Sequence, residues 1–453
     1  MRRGMTCFWM FLIGMWSMTQ IGVIGFIGIS EVFIFLLAPF VYMQNRLLYK
    51  RDGLGTLYTL IFLTMASCWI SGWYNKSGLI DTVKCFATIY GVFAGVTVMY
   101  PLLRYRPDSL KWFLFGVAIS GVISIFIFQS GSAHTGAMGD GTEFTRKNLQ
   151  ESVMGYSLFW VSQVNTWVNL PIQMYYLSVP IIYSVVAPFS CAVYSLLSTS
   201  SGRSAFLVMA YSAVLLVIGG KSVKSLSVIR KKFLTIFVML CVAGLVFATA
   251  YKYTARTGLL GEAAQQKYER QLAKYGKGGG SLLQMIISGR VEFFIGAAAC
   301  LKHPILGCGP KAMDKEGIVR EYYAKYGTPE ELDNYEKTQA WNASLGIYYH
   351  KIPGHSHIIS FWLWFGIMGG MLWVYILLLC IRTLKNYMSA IPQWFGYFAL
   401  LLPTAIWAIF FSPFGDRMAK SVLICCCFIA KNVFERKIEL PQPMICEVMK
   451  HWR

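Results

Sequence analysis

The length of its apolar runs constrains this chain more than any other feature. The stretch from Ile358 to Ile381 carries no charged residue and is long enough to cross a bilayer. It begins abruptly, because the polar Gly354-His355-Ser356-His357 runs straight into it. Two imidazoles therefore stand at the expected membrane surface. Histidine is the side chain whose ordinary pKa lies nearest neutrality, so this mouth is a natural place to look for proton transfer. The same residues also read as a plain helix start with an interfacial histidine.

Comparable runs recur along the 453 residues, of which 56% are hydrophobic and only 14% charged. That balance excludes a soluble globular protein and predicts an all-α, polytopic fold in a lipid bilayer. The basic Met1-Arg2-Arg3 precedes an apolar run from Cys7 with no small-residue cleavage pattern after it, which reads as an uncleaved first helix. A net charge of +20 invites a nucleic-acid partner, yet the Lys and Arg residues cluster in short connectors between apolar runs. The positive-inside rule accounts for them, and no nucleic acid is expected. The 12 cysteines mostly lie within or beside apolar runs, as small core residues do. Only Cys300 and Cys308 stand where a bridge outside the membrane is conceivable, and the segment reads without one.

Taken in order, spans are expected near Cys7 to Ile27, Ile29 to Met43, Leu54 to Trp73, Cys85 to Leu103 and Trp112 to Gln129. Arg46, Lys50 and Arg51 mark the connector after the second as cytoplasmic, which puts the polar loop Ser130 to Ser152 outside. Val153 to Leu170, Leu177 to Leu197, Ala205 to Ile218 and Phe233 to Ala250 complete an N-terminal bundle of about nine helices over residues 1–250. Residues 251–354 hold no run of membrane length and read as one large helical extracytoplasmic loop. Within it Glu262 to Tyr275 is expected to be helical, and Thr328-Pro329-Glu330-Glu331 spells an N-cap, a first-turn proline and a capping-box glutamate. Residues 355–453 add Ile358 to Ile381, Trp394 to Phe411, Met418 to Val433 and a cytoplasmic tail. The total is about twelve spans with both termini inside.

On this topology Arg203, Arg290, His355, His357 and the turn Ser412 to Arg417 share the outer side. Arg203 stands at the mouth of a span, where a guanidinium either faces a partner or snorkels to the interface. Arg290 follows Ser288-Gly289 and opens an apolar segment, so it belongs to the first turn of a helix. That position suits a phosphate, or an ion pair with Glu292 or a neighbouring acid. Arg417 reads as a further substrate-binding candidate or an ordinary interfacial arginine. Gly307-Cys308-Gly309 lacks the third glycine and the strand of a nucleotide loop. His303 reads as a capping or packing residue, and no spacing of His, Cys or carboxylates argues for a metal.

Two Ser-Gly-Arg triplets (Ser201 to Arg203, Ser288 to Arg290), the His-Pro-x-Leu-Gly-x-Gly-Pro stretch His303 to Pro310, and a histidine eleven residues before a glycine (His355 to Gly366) follow one another here. In order, spacing and common side they resemble the O-antigen ligase and polymerase superfamily. The resemblance covers roughly Ser201 to Ile381 by motif. It implies a bacterial inner-membrane glycosyltransferase that takes a glycan from an undecaprenyl-diphosphate carrier and needs no nucleotide sugar, cofactor or metal. Arg203 and Arg290 would hold the diphosphate, and His355 would activate the acceptor. The chain departs from the family in having His355-Ser356 for His-Asn, Trp364 for an acidic residue two before the glycine, and Phe294 where a tryptophan is common a few residues after the loop arginine. Those departures leave His357 as a rival to His355.

The expected product is a repeat-unit polymer for O-antigen, capsule or exopolysaccharide, with transfer to a lipid A core as the alternative acceptor. A different class, a transporter of polysaccharide or lipid-linked sugar, predicts ionisable groups buried mid-span and a weak external module.

Overall fold

The computed structural model of the chain describes residues 3–17, 20–21, 27–127, 291–326, 329–344, 351–412, 417–436 and 438, with isolated positions at 211–212, 215, 253 and 257. Apart from one short ribbon, every regular element in these residues is helical. They run α1 (Arg3–Ser17), a ribbon of β1 (Gln20–Ile21) paired antiparallel with β2 (Ile27–Gly28), then α2 (Ile29–Arg51), α3 (Gly55–Tyr74), α4 (Leu79–Tyr105) and α5 (Leu110–Ile127). The second block holds α6 (Val291–Lys302), α7 (Ile318–Tyr326), α8 (Pro329–Ser344), α9 (His357–Phe365), α10 (Ile367–Arg382), α11 (Phe395–Phe411) and α12 (Arg417–Phe434). Among the described residues, five helical segments are long and apolar enough to cross a membrane: Ile29–Arg51, Gly55–Tyr74, Leu79–Tyr105, Ile367–Tyr387 and Pro392–Phe411. The chain is a helical membrane protein.

Several boundaries differ from those expected. The first helix stops at Ser17 rather than Ile27, because the chain turns through the β ribbon before α2. Arg46, Lys50 and Arg51 lie inside α2 rather than in a connector. Lys50 and Arg51 stand in its last turn, where cations complement the carbonyl end of the dipole, so they extend the helix. The predicted helix Glu262 to Tyr275 and the spans between residues 128 and 250 lie outside the described residues. Pro329 does open α8.

The core is built around α4, which packs on α2, α3 and α12 and is the most buried of the five. Its polar groups are matched across helices. The Tyr49 hydroxyl donates to the Thr97 carbonyl at 2.8 Å, and Tyr58 meets the Thr97 hydroxyl at 3.2 Å. At one end of α4, buried Asp52 accepts from Tyr100 at 3.0 Å and from Arg104 at 3.2 Å, while Asn432 of α12 donates to its carbonyl at 2.8 Å. On α2 the apolar side chains Phe33, Leu36, Leu37, Phe40, Met43 and Leu47 recur at helical spacing and are exposed. That is the inverse of a water-soluble helix, and it suits lipid.

The expected single span from Ile358 to Ile381 is two helices, broken at Gly366. Its φ of +66° and ψ of −161° belong to a region open essentially to glycine alone. A break leaves backbone groups that lipid cannot satisfy. Here they are met by protein. The Leu363 carbonyl accepts from Cys308 N at 2.7 Å, and Ile367 N donates to the Ile305 carbonyl at 3.1 Å. The Phe365 carbonyl accepts from the Ser67 hydroxyl at 2.5 Å. The inserted segment is held in turn by α3, through Ser71 to the Leu306 carbonyl at 2.5 Å and Asn75 to the Gly307 carbonyl at 3.3 Å. The stretch His303 to Pro310 is therefore a wedge between α3 and the break.

A Cβ on residue 366 would fall on the Ile305 carbonyl oxygen as well as straining the backbone. Gly317 has nearly the same φ, +69°, with nothing within 4 Å of an added Cβ. Gly317→Ala is expected to cost about 1–2 kcal/mol, whereas Gly366→Ala should lose several times that, of order 4 kcal/mol or more. Thermal unfolding of the two variants in detergent checks the difference.

Candidate functional site

The site forms where four helix ends meet. Ser356 is the N-cap of α9, its hydroxyl accepting from Ile359 N at 3.3 Å and donating to the Ile409 carbonyl near the end of α11 at 2.9 Å. An N-cap needs a short polar side chain, and serine serves as asparagine would. This cap fixes the residues on either side of it. His355, just outside the helix, is about half exposed, and its Nδ1 lies 2.5 Å from Oε2 of Glu292 in the first turn of α6. His357, just inside, is buried at 1% exposure.

The two histidines thus have opposite surroundings. His357 donates from Nδ1 to the Ser412 carbonyl at 2.9 Å and meets Trp373 edge to face at 4.7 Å. Burial pushes its imidazole down to about 3, with Lys420 adding to the effect and the Ser412 bond opposing it. A neutral ring tied to the chain just before α12 packs the helix ends together. His355 instead presents an accessible ring. A carboxylate oxygen accepts, so in the neutral ring a hydrogen bond across the Glu292 contact would put the imidazole proton on Nδ1 and leave Nε2 as the acceptor. Among the described residues Nε2 has no hydrogen-bond partner.

Arg417, at the start of α12, is forked onto Glu31 of α2, with Nε to Oε1 at 2.8 Å and Nη2 to Oε2 at 2.6 Å. Glu31 is buried, so this bidentate pair ties α12 to α2. Arg203 and Arg290 lie outside the described residues. His303 is bonded through Nε2 to Glu316 at 3.1 Å, on the wedge rather than at the His355 mouth. Cys300 and Cys308 are both free thiols, and burial pushes the Cys308 thiol up to about 12. Among the described residues no three His, Cys, Asp or Glu side chains gather as a metal site would require.

In the sequence Glu292 reads only as an ion-pair partner for Arg290. Its contact with His355 joins distant parts of the chain, and no local pattern announces it. Compared with known proteins, the chain matches no family model and no curated sequence.

His357 also sets a pH dependence. An unfolded histidine titrates near its ordinary 6.5, whereas the folded ring stays neutral down to about 3. Its contribution to stability is complete above that ordinary value and is lost as pH falls from 6.5 towards 3. Between pH 6.5 and 5 this amounts to about 2 kcal/mol. Unfolding midpoints measured across that interval should fall for the wild type and flatten in His357→Gln.

Proposed function

We propose that the chain is a glycosyltransferase of the bacterial cytoplasmic membrane, with about twelve spans and its active site on the outer face. It transfers a glycan from an undecaprenyl-diphosphate carrier to an acceptor hydroxyl and acts as a repeat-unit polymerase for O-antigen, capsule or exopolysaccharide. One observation carries the reading. His355, the histidine of the superfamily-like motif, is an accessible imidazole with one nitrogen held by a carboxylate, at the mouth of a membrane helix.

The chemistry asks for little more. A sugar on a diphosphate already has a good leaving group, so catalysis needs charge stabilisation on the phosphates and a base for the attacking hydroxyl. Arg203 and Arg290 are assigned to the diphosphate and His355 to the acceptor proton, and in-line attack inverts the anomeric centre. His357, neutral and packed, supports the helix ends. Among the described residues the buried ion pairs Glu31 with Arg417 and Asp52 with Arg104 stand at helix ends rather than mid-span, which favours an enzyme over a transporter.

Complementation of a gene deletion tests this. Wild type should restore long glycan chains, and His355→Ala and Arg290→Ala should leave single repeats on the final acceptor. Long chains that accumulate on the carrier without reaching that acceptor would identify a ligase instead. Full complementation by both variants would remove the catalytic assignment.

A further inference from the structure

The proposed reaction requires only that His355 accept a proton, yet the structure places a carboxylate directly behind the ring. We infer that Glu292 is the positioning residue for His355, fixing the tautomer and orientation in which Nε2 faces the acceptor and balancing the charge that the ring gains. This rests on the transferase reading above.

A pair half open to water is by itself weak evidence, because many surface ion pairs hold no fixed geometry. Here both backbones are fixed. His355 adjoins the Ser356 cap, which is bonded to α9 and α11 at once. Glu292 lies on α6, whose Gly296 lets the helix press so closely on Pro353 and Ile359 that an added Cβ would lie 2.8 Å from the Pro353 carbonyl oxygen. Phe293, beside Glu292, packs against Phe411 with the ring centres 5.8 Å apart and the planes tilted by 53°. The carboxylate and the imidazole are thus carried to each other by packed helices rather than by two free side chains.

In the step itself, the acceptor oxygen bonds to the anomeric carbon as the bond from that carbon to the diphosphate oxygen breaks. The electron pair leaves on the diphosphate, and the hydroxyl proton moves to Nε2. The imidazolium so formed holds its other proton against Glu292. A carboxylate at that position helps most once the ring is charged, so its effect falls on turnover rather than on donor binding.

The test uses purified full-length protein with an undecaprenyl-diphosphate-linked oligosaccharide, comparing wild type, Glu292→Gln, Glu292→Asp, His355→Ala and the double variant E292Q/H355A, each checked for its unfolding midpoint. Glu292→Gln should lower kcat by about 10- to 100-fold with donor KM within about twofold. Glu292→Asp should recover most of that loss, and the double variant should be no slower than His355→Ala alone, as expected of residues acting as one unit. Full turnover in Glu292→Gln, or a rise in donor KM at constant kcat, would overturn the assignment while leaving His355 as the base. Full turnover in His355→Ala would overturn the underlying reading and this inference with it.

Discussion

A helix broken within an apolar segment of a membrane protein must have its freed amides and carbonyls satisfied by protein, and the residues packed around Gly366 are arranged to meet that need. The break at Gly366 exchanges backbone hydrogen bonds with residues 305–308, and those residues are anchored on Ser71 and Asn75 of α3. Ser67 of the same helix takes the Phe365 carbonyl. One polar seam on α3 therefore supports both the wedge and the break. It also sets where α9 starts, because a nine-residue helix fixed at its C-terminal end has its N-cap, and with it His355 and His357, fixed at the other.

The arrangement gives two sequence motifs a shared physical meaning. The glycine eleven residues after His355 is needed for its backbone angles and for the approach of the Ile305 carbonyl. A Cβ on residue 307, in the His-Pro stretch, would lie 2.4 Å from the carbonyl oxygens of both Trp362 and Leu363. The two motifs are the two sides of one joint, and their glycines let main chain meet main chain. That joint serves the site by position, since its wedge is spent on structure and its histidine is bonded to Glu316.

The helical membrane character was legible from composition and run length, and the ends of α11 and α12 fell close to where hydropathy put them. Hydropathy could not see the break inside Ile358 to Ile381, because tryptophan, glycine and leucine are all tolerated in a span and the φ of Gly366 is imposed by a distant loop. It also assigned Arg46, Lys50 and Arg51 to a connector, since charge ends an apolar run sooner than it ends a helix. At the candidate site, the place of His355 just before a helix start was legible from the switch from polar to apolar residues. Its difference from His357 was not, because two positions apart on a helix start are indistinguishable in sequence while one faces solvent and the other Trp373. Glu292 and Glu31 acquired their partners only through tertiary packing.

The central claim is that this membrane protein carries out glycosyl transfer at the His355 mouth. It is tested most directly by supplying the purified protein in lipid with an undecaprenyl-diphosphate-linked oligosaccharide, with no nucleotide sugar present, and analysing the lipid products by mass spectrometry. The account predicts release of undecaprenyl diphosphate together with carrier-linked glycan lengthened by whole repeats. Recovery of the carrier-linked oligosaccharide unchanged, or moved across the bilayer intact, would contradict it.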